Sequence, residues 1–171
     1  LAQNDASYQL GNLYFKGKWT KQNYSKAKNY YEISALQGDS NGLLKLGIIY
    51  ENGFGVDKNY IKAFSYYESA GSKFNYSALF RLGKLFLYGD FFVIDIDRSI
   101  KYFEKCVETK EERVSNELDG FYKIGINFDY YPANNYLAMI YLTMFDKPNI
   151  ELARSYLLET SSGEYPPGQN N

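Results

Sequence analysis

The sequence predicts an all-α protein: an α/α solenoid of about four helix–loop–helix repeats. Three observations predict it, namely a recurrence every 36 residues, apolar side chains spaced three and four residues apart, and glycines between the apolar segments. Aromatic residues make up 19% of the 171 residues, with 19 Tyr and 12 Phe, and the recurrence places many of them in fixed columns. Large side chains packed between neighbouring hairpins account for this content without a ligand.

The recurrence has four columns of small or ring-bearing residues. They are a Leu-Gly pair, an aromatic residue three positions later, a loop glycine six positions after the pair's glycine, and an aromatic pair. The members are Leu10-Gly11, Leu46-Gly47 and Leu82-Gly83; Tyr14, Tyr50 and Phe86; Gly17, Gly53 and Gly89; and Tyr30-Tyr31, Tyr66-Tyr67 and Tyr102-Phe103. A fourth, displaced copy carries Ala138 in place of the glycine and has Tyr141 and Tyr156-Leu157.

Each copy is predicted to be two helices joined by a glycine loop. Leu43, Leu46 and Ile49 are three residues apart, which is typical of one face of a helix. In the loop that follows, Gly53 can take the left-handed conformation that ends a helix, and either Asp57 or Asn59 can cap the next one. The predicted helices cover residues 4–16, 23–37, 40–52, 59–71, 74–88, 97–110, 133–145 and 149–160.

These helices define the expected domain organisation, one repeat array over residues 1–160. Its repeats cover about 4–38, 40–71, 76–108 and 133–160. The third and fourth copies are 55 residues apart, which predicts an insertion at about 109–127, and a polar tail follows at 161–171.

Composition excludes several classes of function. The formal net charge is −1, so the chain lacks the basic surplus with which proteins neutralise nucleic-acid phosphates. There is no His and one Cys, which excludes His-based triads, intrachain disulfides and thiolate zinc clusters. We therefore expect no catalytic residue, no metal site, no cofactor and no segment inserted in a membrane, with Cys106 a buried small side chain.

The second copy closely resembles a known repeat family, and the first copy resembles it clearly. The residues that carry the resemblance are Leu46-Gly47-x-x-Tyr50-Glu51-x-Gly53-x-Gly55-Val56 and Lys62-Ala63-x-x-Tyr66-Tyr67-x-x-Ala70. This pattern looks like the Sel1-like repeat, a relative of the tetratricopeptide repeat. The third copy departs from it with Asp90-Phe91-Phe92 in its loop, and the first copy has Trp19, expected to plug the loop, where a glycine is usual.

The resemblance implies a right-handed superhelix without enzyme activity, whose first helices line a concave face. By similarity to tetratricopeptide packing, a protein or peptide partner would contact exposed side chains on this face. The candidate residues are Tyr8, Asn12 and Lys16; Leu44, Ile48 and Glu51; and Phe80, Lys84 and Tyr88. Leu44, Ile48 and Phe80 are apolar there, so they either anchor a partner or contact adjacent helices.

We therefore expect a protein–protein interaction scaffold. Family members act beside an endoplasmic-reticulum ubiquitin ligase in protein degradation, as activators of chitin synthase, or in bacterial envelopes and host interaction. Homodimerisation through apolar end faces is the alternative. Two glycosylation triplets, at Asn23 and Asn75, favour a secretory location only slightly, so both the endoplasmic-reticulum lumen and the cytoplasm stay open.

Overall fold

A computed structural model describes residues 2–89, 93–116 and 130–162. This part of the chain contains eight α-helices and no strand, so the all-α prediction is confirmed. In chain order the helices are α1 (Ala2–Lys16), α2 (Tyr24–Leu36), α3 (Ser40–Asn52), α4 (Tyr60–Gly71), α5 (Tyr76–Tyr88), α6 (Ile96–Asn116), α7 (Tyr130–Thr143) and α8 (Ile150–Ser162).

The helices belong to two compact units, Leu1–Leu82 and Gly83–Asn171. The first unit contains the α1–α2 and α3–α4 hairpins and the beginning of α5. The second unit contains the rest of α5, then α6, α7 and α8. In the first unit α2 also packs on α3, so its two hairpins share one apolar core.

The loops within the hairpins repeat one geometry. Gly53 ends α3 with φ +73°, and Gly17 and Gly89 have φ +65°, a conformation that residues with a Cβ rarely adopt. The side chain of Asn59 then accepts a hydrogen bond from the Lys62 backbone N–H at 2.9 Å, which caps α4. Of the two caps that the sequence allows, Asn59 and not Asp57 therefore has this role.

The glycine of each Leu-Gly pair makes room for a ring from the second helix of its own hairpin. A Cβ added to Gly11 would lie 2.5 Å from a carbon of the Tyr31 ring. Gly83 faces Phe103 in the same way at 2.6 Å, and Gly47 faces Tyr67. This close approach explains why a residue with poor helix propensity recurs in the middle of these helices.

A second set of rings stacks in every hairpin. Tyr14 and Tyr30 are parallel within 3°, with centroids 5.6 Å apart. The Lys26 ammonium lies 5.1 Å from the Tyr14 centroid, which adds a cation–π contact. The stacked pairs of the other hairpins are Tyr50–Tyr66, Phe86–Tyr102 and Tyr141–Tyr156. The aromatic columns are therefore structural within each hairpin.

The structure differs from the prediction in two places. Helix α6 continues to Asn116, so the first part of the expected insertion at 109–127 extends this helix, and the rest lies outside the described residues. The tail beyond Ser162 also lies outside them. Trp19 is 81% exposed and does not plug its loop.

None of the described helices contains a stretch long and apolar enough to cross a bilayer.

Candidate protein-binding surface

The candidate surface in the first unit lies on the first helices of its hairpins. We call it the first-helix face, defined by the predicted residues on α1, α3 and the beginning of α5. The predicted residues here are Tyr8, Asn12, Lys16, Leu44, Ile48, Glu51 and Phe80. Lys16 is exposed, five are half-buried, and Leu44 is buried.

Leu44 corrects the expectation that all these positions are exposed. Its side chain is only 9% exposed, and it belongs to the core of the first unit. The sequence leaves two alternatives for Leu44, anchoring a partner or contacting adjacent helices, and its burial favours contact with adjacent helices. Ile48 is half-buried on the same helix and is the aliphatic side chain of this set that retains accessible surface.

Tyrosine hydroxyls from the second helices reach two polar residues of this face. Tyr31 donates to Asn12 Oδ1 at 2.9 Å, and Tyr67 donates to Glu51 Oε2 at 2.6 Å. Burial raises the pKa of both tyrosines, so both hydroxyls keep their protons far above neutral pH. Buried tyrosine donors therefore hold Asn12 and Glu51 in place, and part of the hydrogen-bonding capacity of each side chain is used within the protein.

Glu51 also joins α3 to α5. The Arg81 guanidinium donates to the same Oε2 at 2.8 Å and lies 5.9 Å from the Tyr67 centroid. One carboxylate oxygen thus accepts from a phenol and a guanidinium, and the pair is only partly exposed. Such a partly buried, charge-assisted arrangement fixes the position of Arg81 better than an exposed ion pair would.

Two cations of this face, Lys45 and Arg81, are not among the residues predicted from the sequence. They occupy the same column, 36 residues apart and two residues before the glycines of the Leu-Gly pairs, and that recurrence of charge was the available signal. Lys45 is on α3, and its ammonium lies 6.0 Å from the centroid of Phe15 on α1. Burial lowers the pKa of Lys45, and repulsion from Lys16 and Arg81 lowers it further.

The second unit contains the remaining two predicted residues, Lys84 and Tyr88 on α5. The Lys84 ammonium lies 5.9 Å from the Tyr88 centroid, and Tyr88 donates to the Tyr136 hydroxyl at 3.1 Å. Tyr88 is 50% exposed, so part of its ring stays accessible beside these contacts.

The described residues offer little that could perform chemistry or hold a metal. They contain no group of three or more Cys, Asp or Glu side chains placed to bind an ion. Cys106 is buried, as expected, so its thiol is shielded from solvent and from a substrate. The first-helix face instead combines cations, half-buried apolar groups and polar groups held by tyrosine hydroxyls.

Comparison with known proteins identifies the family. The profile of the Sel1 repeat matches residues 4–39, 40–73 and 77–105, which is more than half of the chain. The chain belongs to the Sel1 repeat family, as its second copy suggested. Sel1 repeats typically form a non-catalytic fold that binds other proteins. No curated protein matches the sequence at a significant level.

Solved structures of bacterial Sel1 repeat proteins share the fold. The c5321 protein, a protective antigen present in uropathogenic Escherichia coli strains, is 22% identical with a TM-score of 0.73, and the alignment covers 94% of this chain and 31% of c5321. A Sel1 repeat protein from Oxalobacter formigenes is 20% identical with a TM-score of 0.60, over 94% of this chain and 74% of that one. Helicobacter pylori cysteine rich protein B is 25% identical with a TM-score of 0.53, over 68% and 90%. This chain thus spans about a third of c5321.

Proposed function

We propose that this chain is a non-enzymatic adaptor that binds a protein partner through its first-helix face. The observation that carries the proposal is the mixed character of that face, where half-buried Ile48 lies beside positioned polar and cationic groups. Apolar anchors surrounded by polar groups are typical of protein interfaces, and a preorganised surface loses less entropy on binding. Membership of the Sel1 repeat family supports the same function.

The test introduces a charge at the apolar part of this face. Ile48→Asp places a carboxylate at a half-buried position, and we expect at least a tenfold loss of partner binding, because an interface would have to desolvate that charge. Partners are captured from extracts of the source cells on the immobilised protein and identified by mass spectrometry. Binding of the identified partner is then measured by calorimetry.

Ile61→Asp is the matched control. Ile61 is 62% exposed on α4, which is a second helix, so the same chemical change there leaves the first-helix face intact. Circular dichroism checks that both variants keep wild-type helicity. If Ile48→Asp binds the partner as tightly as the wild type does, or if the wild type captures no partner, the proposal is wrong.

The partner found by this capture also identifies the assembly that the adaptor serves. We propose a larger complex such as a ubiquitin ligase of endoplasmic-reticulum-associated degradation, which the family resemblance favours. A chitin synthase or a bacterial envelope or host protein among the captured partners would instead support one of the other family roles. The same test therefore separates these roles.

Self-association is a second candidate, favoured by apolar side chains on the last hairpin. Met144, Phe145 and Ile150 are 47%, 41% and 67% exposed, and a second copy could cover them. Sedimentation velocity over a hundredfold range of concentration tests this candidate. A concentration-dependent increase in sedimentation coefficient that Ile150→Asp abolishes would support it, and a strict monomer would exclude it.

A further inference from the structure

We propose that the first-helix face recognises acidic segments of its partner, with an Asp or Glu carboxylate binding Lys45 between Lys16 and Arg81. This inference rests on the proposed function and specifies the chemistry of the partner. Its basis is a half-buried ammonium group that has like charges as neighbours and no ion-pair partner in the part of the chain that the structure describes.

The surroundings of Lys45 are unusual for a partly buried cation. Among the described residues, no carboxylate lies within ion-pair distance of its ammonium. The neighbouring acid, Glu51, already accepts from Tyr67 and from Arg81 through one oxygen. Lys16 and Arg81 both repel the Lys45 charge. A partly desolvated cation without an anionic partner is costly, and an anion supplied by a ligand would lower that cost.

The charge distribution along the chain indicates the sign of the partner. Residues 1–82 contain ten Lys and Arg against six Asp and Glu, whereas residues 83–171 contain nine against fourteen. The unit that contains Lys45 is therefore basic within a chain whose net charge is −1. Such a surface attracts acidic segments and repels basic ones, which gives both faster association and selectivity.

The neighbours of Lys45 on the same surface specify the segment further. The Phe15 ring lies beside its ammonium, and Ile48 is three residues further along α3, on the same side of the helix. An acidic side chain that binds Lys45 would therefore place adjacent residues of the segment against apolar groups. We infer an acidic motif in which single aliphatic residues are interspersed among Asp and Glu.

The probe is a synthetic octapeptide, Glu-Glu-Leu-Glu-Glu-Leu-Glu-Glu, acetylated and amidated so that its termini are neutral. We titrate it into the full chain up to 2 mM and follow backbone amide shifts by NMR. We expect shifts confined to α1, α3 and the beginning of α5, and weaker binding as salt increases. The same peptide with Gln in place of Glu should bind at least tenfold more weakly.

Lys45→Met is the diagnostic variant because it keeps the aliphatic stem and removes the charge. We expect it to fold normally and to bind the Glu peptide at least tenfold more weakly than the wild type does. Lys73→Met, which removes an exposed charge after α4, should bind it normally. No binding of the Glu peptide, equal binding of the Gln peptide, or undiminished binding by Lys45→Met would each overturn the inference.

The captured partner separates this inference from the proposed function. If Ile48→Asp loses the partner and Lys45→Met keeps it, the acidic motif is wrong and the adaptor function stands. If neither variant changes capture, both fail. The acidic segment could also belong to a second copy of this chain, and sedimentation velocity tests that case. If the wild type self-associates and Lys45→Met abolishes the self-association, the proposal of a separate partner is contradicted.

Discussion

Replacing Gly83 with Ala tests the packing rule on which every hairpin depends. Helix propensity alone predicts that this change, in the interior of α5, stabilises the protein by about 1 kcal/mol. The structure predicts the opposite sign. The added Cβ would lie 2.6, 2.7 and 2.8 Å from three carbons of the Phe103 ring, whose side chain is fully buried.

The size of the effect follows from how far the ring must move. Ordinary carbon contacts begin at about 3.5 Å, so the Phe103 ring has to shift by nearly 1 Å in a packed interior. Overpacking of this kind costs about 1 to 3 kcal/mol. Because the contact involves three ring atoms, we expect the upper part of that range, and a net destabilisation of about 2 kcal/mol after the propensity gain.

The assay is urea unfolding followed by circular dichroism, with the midpoint compared between wild type and Gly83→Ala. The control makes the same substitution in a Phe103→Leu background. The Leu side chain is smaller than the Phe ring and leaves room for the added Cβ, so in that background the change should cost little or should stabilise. A Gly83→Ala variant at least as stable as the wild type would refute the reasoning.

Three further predictions concern stability. Phe74 has φ +58° where the preceding copy has Gly38, and its side chain is 52% exposed. Phe74→Gly should therefore raise the urea midpoint by the equivalent of about 1 kcal/mol, because glycine adopts this conformation without strain. A lower midpoint would contradict the strain. Asn59→Ala should lose about 1 kcal/mol with the cap of α4, and Asn59→Asp should retain most of it, both measured by thermal unfolding. Stability should also fall as pH rises above about 10, because Tyr67 and Tyr31 release protons in the unfolded state while burial raises their pKa in the folded state. Urea midpoints between pH 8 and 11 should fall less steeply for Tyr67→Phe, and an unchanged slope would show that Tyr67 does not contribute.

Local features of the fold could be predicted from the sequence because they depend on neighbouring residues. The prediction of 40–52 for α3 coincides with Ser40–Asn52, since apolar spacing and a loop glycine define that helix within a few turns. The cap at Asn59 is local in the same sense. The family could be recognised from the columns of glycines and aromatic residues, which have the same spacing in three copies.

The candidate site could be predicted only in part, because it depends on how successive first helices lie side by side. The Arg81–Glu51 pair joins residues 30 positions apart, and no local pattern shows that contact. Burial of Leu44 and the repulsion that Lys45 feels from Lys16 and Arg81 depend on the same packing. The positions assigned by similarity therefore include one core residue, Leu44, and do not include Lys45 or Arg81.

The stacked pairs of the repeated columns and the glycine–ring contacts form within single hairpins, between residues no more than about twenty positions apart. A duplication or deletion of one 36-residue segment would therefore preserve the internal packing of every hairpin that remains. Arrays of this kind can change length during evolution without a redesign of their interior. Exposed residues of the first-helix face such as Lys16 are not members of the repeated columns, so they can change while the hairpin persists.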